Sequence, residues 1–323
     1  MTKFSIIMPV YNVADYLLAA IQSVLSQNVD LELIIVDDGS TDASPEIMER
    51  FSSDNRVTVI HTENSGLSMA RNNGIPYATG DYIYFMDSDD ILRDNFLIVV
   101  SEFLDSKQVE GVSFSYQEFN DDEIENLGKE VSSIVDYKIV DSSEALEMLM
   151  DGVIPQMAWS YIVKRNVFTK FGISYTPGVL FEDNNSAPKI LAAISKFAVL
   201  RFDVAPYLLR ERKSSITAVN SKTLTLRALK DENFVFSDAY EIYSKQGLIG
   251  ADLWFFRKII HLYIKYKDAL RGQTESVDVL KGLLLRAKKM YPLVKTTLSS
   301  RDKWRFLRAR NDWMDFLIRK IIG

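Results

Sequence analysis

The stretch YFMDSDDIL, residues 84–92, joins a short apolar run to a cluster of three carboxylates. The apolar run suits a strand that is buried on both faces, as in the parallel sheets of α/β proteins. Asp87, Asp89 and Asp90 follow at the point where that strand would end. Carboxylates this close together repel one another unless a cation lies between them. The stretch therefore predicts a buried strand with a charged site at its carboxyl end.

The segments before this stretch alternate between strand and helix patterns. The apolar runs KFSIIMPVY, LELIIVDD, RVTVIHT and DYIYFMD predict four strands, and the intervening segments carry helical signals. One of these helices is predicted to begin at SPEIMERFSS, where a Ser can cap the helix and a Pro follows at the first helical position. Short crossovers between nearly continuous apolar strands predict an α/β fold, with a mostly parallel sheet flanked by helices.

Charge is distributed unevenly along the 323 residues, whose net charge is −6. Residues 1–250 carry 21 basic and 37 acidic side chains, a net charge of −16. Residues 251–323 carry 17 basic and 7 acidic side chains, a net charge of +10. Helical periodicity dominates after residue 204. We therefore predict one domain over residues 1–203 and a helical C-terminal domain over residues 204–323.

Composition narrows the class of protein further. Cysteine is absent, which removes disulfide and thiolate chemistry and fits a reducing compartment. We interpret the N-terminus, MTKFSIIMPVYN, as a first strand rather than a signal peptide, and the apolar runs fall far short of the roughly 20 residues of a membrane-spanning helix. His61 and His261 lack metal-ligand spacing, so both are interpreted as structural. A cytoplasmic location is expected.

Two of the four predicted strands end in acidic clusters, IIVDDGSTD and YFMDSDD. Ligands bind at the carboxyl ends of the strands in an open parallel sheet, so both clusters are expected at the binding edge. Helix capping and turn formation is an alternative interpretation of Asp37, Asp38 and Asp42. The pair Asp87 and Asp89 instead suits Mg²⁺ or Mn²⁺, which bind one or two carboxylates together with substrate phosphates.

The two clusters together predict a site for a nucleoside diphosphate. Asp38 would accept a hydrogen bond from a base N–H, and Tyr11 would offer an aromatic face for stacking. Arg71 would neutralise phosphate. A metal ion at Asp87 and Asp89 would bridge the two phosphates.

Four segments, FSIIMPVYN, LIIVDDGSTD, NSGLSMARNNGI and YFMDSDD, resemble in order and spacing the motifs of family 2 glycosyltransferases. The resemblance implies a Rossmann-like GT-A fold and an inverting, metal-dependent enzyme that uses a UDP-sugar with Mn²⁺ or Mg²⁺. It implies a role in bacterial surface-glycan or glycoprotein assembly. The implied nucleotide contacts are Pro9, Tyr11, Asp38, Arg71, Asp87 and Ser88, and the implied metal ligands are Asp87 and Asp89.

Inverting sugar transfer needs one base that deprotonates the acceptor hydroxyl. GVLFEDNNSAPKI places Glu182 and Asp183 after a predicted strand and before a predicted helix. The resemblance favours Asp183 as the base. Neighbours on a strand face opposite ways, so Glu182 is expected to orient the acceptor or a loop. The alternatives are Glu182 as the base and Asp183 as a helix N-cap.

Two further segments resemble the acceptor side and the donor cover of the family. In QMAWSYIVKRNVF, Trp159 either stacks on an acceptor sugar or is a buried core residue. The family's lysine position holds Tyr161, which puts a charge contact with the acceptor there in doubt. YLLRERKSSIT resembles the segment that folds over the diphosphate, although a solvated connector is the alternative. Its candidate phosphate contacts are Arg210, Arg212, Ser215 and Thr217.

The C-terminal segments ADLWFFRKIIHLYIKYKDALRG and SSRDKWRFLRARNDWMDFLIRKIIG are rich in aromatic and basic residues. These helices either pack on the first domain or on a second subunit, or they place a basic amphipathic face on the inner surface of an anionic membrane. Nucleic acid suits them less, because the basic residues lie among apolar ones.

The resemblance implies a non-processive hexosyltransferase that moves one sugar to a glycan, glycolipid or glycoprotein acceptor. A nucleotidyltransferase that makes nucleotide sugars is one alternative, but MPVYNVADYL lacks the glycine-rich signature of that class. A catalytically inactive partner that only binds sugar nucleotides is another. The intact acids Asp38, Asp87, Asp89 and Asp183 argue against it.

Overall fold

The computed structural model describes residues 2–126, 130–212, 225–270 and 273–322. The chain divides into two compact units, of which the first ends at Arg212. The predicted boundary after residue 203 lies nine residues earlier. The strand Tyr207–Arg210 falls between these two positions. It pairs with two strands of the first unit, and the first unit therefore extends past the predicted boundary.

The first unit is built on two sheets. In chain order the described strands are β1 (Phe4–Val10), β2 (Leu31–Asp37), β3 (Val57–His61), β4 (Tyr82–Phe85), β5 (Ile91–Leu92), β6 (Gly111–Ser113), β7 (Tyr116–Phe119), β8 (Ile134–Val140), β9 (Tyr161–Lys164), β10 (Phe197–Phe202) and β11 (Tyr207–Arg210). The larger sheet has the order β3-β2-β1-β4-β9-β6-β10-β8, and the smaller has the order β5-β11-β7.

The larger sheet is parallel where the four predicted strands lie. β3, β2, β1 and β4 run parallel to one another, and β6 runs parallel to β10. β9 runs antiparallel to both β4 and β6, and β8 closes the sheet antiparallel to β10. β1 and β4 are buried along their whole length, which explains their continuous apolar sequences. The predicted mostly parallel α/β architecture is confirmed.

Helices cover the larger sheet. In the first unit they are α1 (Ala14–Leu25), α2 (Ser44–Glu49), α3 (Leu67–Gly74), α4 (Phe96–Lys107), α5 (Ser142–Met150), α6 (Arg165–Phe171) and α7 (Glu182–Ala192). Successive residues of β1 face opposite sides of the sheet. Phe4, Ile6 and Met8 belong to the same buried core as residues of α1 and α4. Ile7 points to the opposite face, where it meets Gly74 at the end of α3.

The second unit is helical, as predicted. Its described helices are α8 (Leu226–Lys245), α9 (Ala251–Tyr266), α10 (Thr274–Val294) and α11 (Ser300–Ile322). α9 is the central helix and packs against each of the other three. Phe256 of α9 contributes to the core through its contacts with Tyr291 and Phe306.

Across the part of the chain that the structure describes, no helix has both the length and the apolar character needed to cross a bilayer.

The contact between Gly74 and Ile7 generates a stability prediction. A Cβ at position 74 would lie 2.5 Å from Ile7 Cγ2, which is too close for two carbon atoms. We therefore expect Gly74→Ala to lower the free energy of unfolding by about 1–3 kcal/mol, as overpacking commonly does. Denaturant unfolding measures this change. In an Ile7→Ala background the cost should shrink, because the clashing methyl is gone. An equal cost in both backgrounds would contradict the packing argument.

Candidate active site

The carboxyl ends of β1, β2 and β4 lie at one edge of the larger sheet. The register pairs Val10 with Asp37 and Ile7 with Phe85, so the residues after these strands meet there. Pro9 is buried within β1. Tyr11 follows β1 and is 48% exposed, which leaves its ring open to a ligand. The two acidic clusters therefore lie at the same edge of the sheet, as predicted, and ligand binding at this edge stays a prediction.

The carboxylates of the first acidic cluster accept hydrogen bonds from backbone N–H groups of neighbouring loops and helix starts. Asp38 is 3% exposed, and its carboxylate accepts hydrogen bonds from the N–H groups of Ser65 and Gly66, both at 2.8 Å. Asp42 accepts from Ala14 N at 3.0 Å and from Ser44 N at 2.9 Å, at the starts of α1 and α2. The turn-and-cap interpretation accounts for these contacts. Binding of a base by Asp38 stays a prediction.

A buried arginine connects Asp87 of the second acidic cluster with Glu182 and Asp183. Arg71, in α3, is 1% exposed. Its Nη1 donates to Glu182 Oε1 and Asp183 Oδ1, both at 2.8 Å, and its Nη2 donates to Asp87 Oδ1 at 3.1 Å. The guanidinium also lies 5.1 Å from the centre of the Tyr175 ring. Burial acts to lower the pKa of Arg71, but the three carboxylates outweigh it and raise that pKa.

These contacts correct the predicted role of Arg71. We expected this side chain to neutralise a phosphate, but both of its terminal nitrogens contact carboxylates and the group is enclosed. Charge explains the arrangement, because a buried guanidinium needs anionic partners within the protein. Arg71 therefore orients Asp87, Glu182 and Asp183, and these acids already occupy its two terminal nitrogens.

The segment before Glu182 differs from the prediction. We expected a strand there, but residues 172–181 contain no strand and end in a turn. Phe181 has φ of 64°, a left-handed conformation that is strained for a side chain of this size. Glu182 and Asp183 begin α7, and both contact the same nitrogen of Arg71. The argument that strand alternation separates these two acids is therefore wrong.

Burial changes the acidity of Asp183. Removal from water raises the pKa of Asp183 to about 7, with Arg71 opposing the rise and with Glu182 and Asp87 adding to it. Its side chain keeps a partly exposed surface. A carboxylate of this kind can take a proton from a ligand at neutral pH.

The acids after Ser88 have separate partners. Asp90 is buried, and it accepts from Tyr207 Oη at 2.5 Å and from Arg210 N at 2.8 Å, which ties this turn to β11. Asp89 forms an ion pair with Arg212. Burial and the nearby Asp87 raise the pKa of Asp89, and Arg212 opposes them. Ser88, which lies between Asp87 and Asp89 in the sequence, is buried.

Arg210 does not fit the predicted contact with phosphate. It is buried, its Nε donates to Asp89 O at 2.7 Å, and it pairs with Asp121. Its guanidinium also packs over the rings of Tyr16 and Phe119. Arg212 lies beside Asp89, and a phosphate contact for it stays a prediction.

Ser215 and Thr217, the other two predicted phosphate contacts, lie outside the described residues.

Trp159 lies in the core. It is 3% exposed and stacks on Tyr207, with ring centres 4.4 Å apart and planes 3° from parallel. Tyr116 contacts it edge-on, with the ring centres 4.9 Å apart. The structure therefore favours the buried-core alternative over a stacking platform for an acceptor sugar.

Asp87 and Asp89 have the chemistry of a site for a hard divalent cation. Within the described ranges, no three or more His, Cys, Asp and Glu side chains form a metal-binding group. Two carboxylates are nevertheless enough for Mg²⁺ or Mn²⁺ when substrate phosphates and water supply the remaining oxygens. Burial and the charge of Asp87 raise the pKa of Asp89, and a bound cation would relieve the repulsion between the two acids. The residues present therefore fit such an ion.

Sequence reasoning missed two residues that support the cluster. Asn72 donates to Tyr175 O at 2.8 Å and accepts from Tyr175 N at 2.8 Å, which fixes Tyr175 beside Arg71. The segment NSGLSMARNNGI already contained Asn72, next to Arg71. Nothing in the local pattern pointed to Tyr175, because the two partners are 103 residues apart.

Residues 5–158 match the family described as Glycosyl transferase family 2. Glycosyltransferase GlyA of Streptococcus pneumoniae serotype 4 is 31% identical over 224 residues, which cover 67% of this chain and 32% of GlyA. Glycosyltransferase GlyG of the same organism is 27% identical over 304 residues, which cover 88% of this chain and 94% of GlyG. The chain thus spans about a third of GlyA and nearly all of GlyG.

Solved structures of TarS from S. aureus share the fold. TarS 1-349 in complex with UDP-GlcNAc aligns with a TM-score of 0.63 and 17% sequence identity, over 91% of each chain. TarS 1-349 in complex with UDP aligns with a TM-score of 0.57 and 18% identity. The mostly parallel sheet with flanking and C-terminal helices is therefore an arrangement found in known structures.

His61 generates a prediction of pH-dependent stability. Its Nδ1 lies 2.9 Å from Asp37 Oδ2, and its Nε2 lies 3.0 Å from Glu49 Oε1. The hydrogen bond to Glu49, followed by that to Asp37, raises the pKa of His61. A raised pKa in the folded state means that the stabilisation is fully present below the unfolded pKa. It is lost as pH rises through the folded pKa.

We therefore expect His61→Asn to lower Tm by about 1–3 °C near pH 5.5, the size typical of exposed ion pairs, and by less at alkaline pH. Thermal melts across this range measure the gap between the two proteins. Tyr77→Phe, a change at an exposed ring, serves as the control and should show the same small difference at every pH. A gap for His61→Asn that widens as pH rises would contradict the assignment.

Proposed function

Because the chain belongs to glycosyl transferase family 2, we propose that it transfers one sugar from a UDP-sugar to an acceptor hydroxyl, with inversion at the anomeric carbon. One observation carries the proposal. Asp87, Glu182 and Asp183 converge on the buried guanidinium of Arg71, so a candidate donor-side acid and two candidate bases are held together. Inverting transfer needs these two functions side by side.

Asp183 is the proposed base. It would accept the proton of the acceptor hydroxyl while the hydroxyl oxygen forms its bond to the anomeric carbon. The bond between that carbon and the diphosphate breaks in the same step, and the nucleoside diphosphate leaves with the electron pair. The raised pKa of Asp183 supports this role, because a general base is most effective when its pKa lies near the working pH.

Arg71 is the proposed positioning residue for this base. Its Nη1 donates to Asp183 Oδ1, so it sets the direction of the carboxylate and favours the ionised form. Glu182 shares that nitrogen and would orient the acceptor beside Asp183. Because Glu182 and Asp183 both begin α7 and are not separated by strand alternation, Glu182 stays the alternative base.

Asp87 and Asp89 are the proposed ligands of Mn²⁺ or Mg²⁺. When bound, such an ion would offset the negative charge of the leaving diphosphate. Asp87 is oriented by Arg71, and Asp89 has Arg212 as its counter-ion. The structures of TarS with UDP-GlcNAc and with UDP support a uridine nucleotide as the donor class. Pro9 and the exposed ring of Tyr11 lie at the same strand end and are proposed to contact the nucleoside.

The acceptor is proposed to be a hydroxyl of a glycan, glycolipid or glycoprotein. The relatives GlyA and GlyG are glycosyltransferases of a bacterium, which supports a bacterial glycan or glycoprotein setting. The proposed location is cytoplasmic, where nucleotide sugars would be available as donors.

The proposed base is tested by Asp183→Asn. This change keeps the shape of the side chain and removes its basicity, so UDP release from a panel of UDP-sugars with acceptor should fall by about 100-fold or more. UDP binding, measured by calorimetry with Mn²⁺, should stay close to wild type. Glu182→Gln is the matched control and should lose much less activity. Retained turnover in Asp183→Asn together with its loss in Glu182→Gln would move the base to Glu182.

The proposed metal site is tested by Asp89→Asn. Calorimetry should show that Mn²⁺ strengthens UDP binding to the wild type and that EDTA removes the effect. In Asp89→Asn this gain should disappear. Asp81→Asn is the control, because Asp81 lies before β4, at the opposite end of the strand from Asp87. It should respond to Mn²⁺ like the wild type. Equal UDP affinity of the wild type with Mn²⁺ and with EDTA would argue against a metal-dependent site.

A further inference from the structure

The second unit carries a dense run of positive charge. Between residues 281 and 310 the sequence has ten Lys and Arg residues and one acidic residue, Asp302. Arg257 binds Asp302 at 2.9 Å, so that negative charge is compensated within the unit. The ten basic residues are Lys281, Arg286, Lys288, Lys289, Lys295, Arg301, Lys303, Arg305, Arg308 and Arg310, and all but the half-buried Arg305 are exposed.

Large apolar side chains are exposed among these cations. Trp304 is 58% exposed, and Leu285, Leu293 and Leu307 are exposed as well. Folding does not require this exposure, because α11 already has a separate packing side. On that side Phe306 is buried and stacks on Tyr291, with ring centres 4.9 Å apart. The apolar groups on the outer side therefore remain available to something other than the core.

The spacing of residues along α11 places basic and aromatic side chains on the same side of the helix. Arg301, Trp304 and Arg308 are three and four residues apart, and Leu307 lies beside them, so they share a face. The Arg308 guanidinium lies 5.4 Å from the centre of the Trp304 ring. Lys303 is exposed at the edge of this stripe. We call these five residues the Trp304 face.

We propose that the Trp304 face binds the surface of an anionic lipid bilayer. Lys and Arg side chains are attracted to the negative surface of phosphatidylglycerol or phosphatidylserine membranes. A Trp ring is suited to the boundary between headgroups and acyl chains, where its apolar body and its N–H are both satisfied. A helix that presents both features along one side lies in the plane of the surface.

Charge argues against a second copy of the chain as the occupant. A two-fold contact would place the same cationic patch on both partners, and like charges in contact are unfavourable. A soluble polyanion would satisfy the cations but would leave Trp304 and Leu307 without apolar contacts. A lipid surface accounts for both classes of side chain. The proposal concerns the second unit alone, so it stands or falls separately from donor binding in the first.

Vesicle co-sedimentation of the full chain tests this proposal. One set of vesicles is phosphatidylcholine alone, and the other is an equal mixture of phosphatidylcholine and phosphatidylglycerol. The wild type should bind the mixed vesicles and should bind the neutral ones at least about tenfold more weakly. High salt should weaken the binding, because exposed charges are screened.

Two double variants and one single variant separate the contribution of the basic side chains from that of the Trp304 ring. Lys303→Glu with Arg308→Glu should reduce binding to mixed vesicles by about tenfold or more. Lys170→Glu with Lys245→Glu makes the same change in net charge elsewhere on the surface and should bind like the wild type. Trp304→Ser should weaken binding while leaving the salt dependence in place. UDP binding and thermal melts of every variant report whether it is folded.

Several results would overturn the proposal. Equal binding of the wild type to both kinds of vesicle, or to neither, removes the electrostatic argument. Equal loss in the two charge-reversed variants would mean that net charge, and not this face, drives binding. Light scattering that shows a dimer lost in Trp304→Ser would make the face a contact between copies. If the protein bound heparin tightly, Trp304→Ser left that binding unchanged, and no vesicles were bound, the Trp304 face would be a site for soluble polyanions.

Discussion

The buried ion cluster around Arg71 is the constraint on which the geometry of the candidate active site depends. A guanidinium that is 1% exposed is tolerated only while carboxylates surround it. Removing one partner of a buried pair commonly costs about 3–5 kcal/mol. Asp87 comes from the end of β4, and Glu182 and Asp183 come from the start of α7. The contact that compensates Arg71 therefore also sets the spacing of the three acids.

The balance of charge in this cluster explains its chemistry. Three carboxylates face one buried guanidinium, so negative charge is in excess around it. The same imbalance extends to Asp89, whose pKa is raised by burial and by Asp87 despite its pairing with Arg212. A pocket of this kind favours a proton on Asp183 and a cation near Asp87 and Asp89. The proposed proton acceptance and the proposed diphosphate binding would thus both follow from one electrostatic arrangement.

The pattern of apolar residues along the chain correctly predicted the strands that are buried on both faces. β1, β2 and β4 were found where continuous apolar runs lie, because a strand buried on both faces must be apolar throughout. β11 was missed, because its segment was interpreted as a cover over the diphosphate or as a connector, and its pairing with β5 and β7 is not visible in the sequence. The apolar VLF before Glu182 suggested a strand, but it forms none. An apolar run needs a neighbouring strand to pair with, and sequence alone did not supply one.

The positions of the first four strands along the chain, the acids that follow β2 and β4, and the cationic C-terminal region could all be determined from the sequence, because each is a property of neighbouring residues. Which acid meets which cation was decided by the tertiary structure. Arg71 and Asp183 are 112 residues apart, and Tyr207 of β11 stacks on Trp159 although the two residues are distant in the sequence. Such contacts depend on how the sheet orders its strands and on where burial leaves a charge without water. Periodicity records the environment of a residue along its own helix or strand, and it carries no information about a partner brought close by folding.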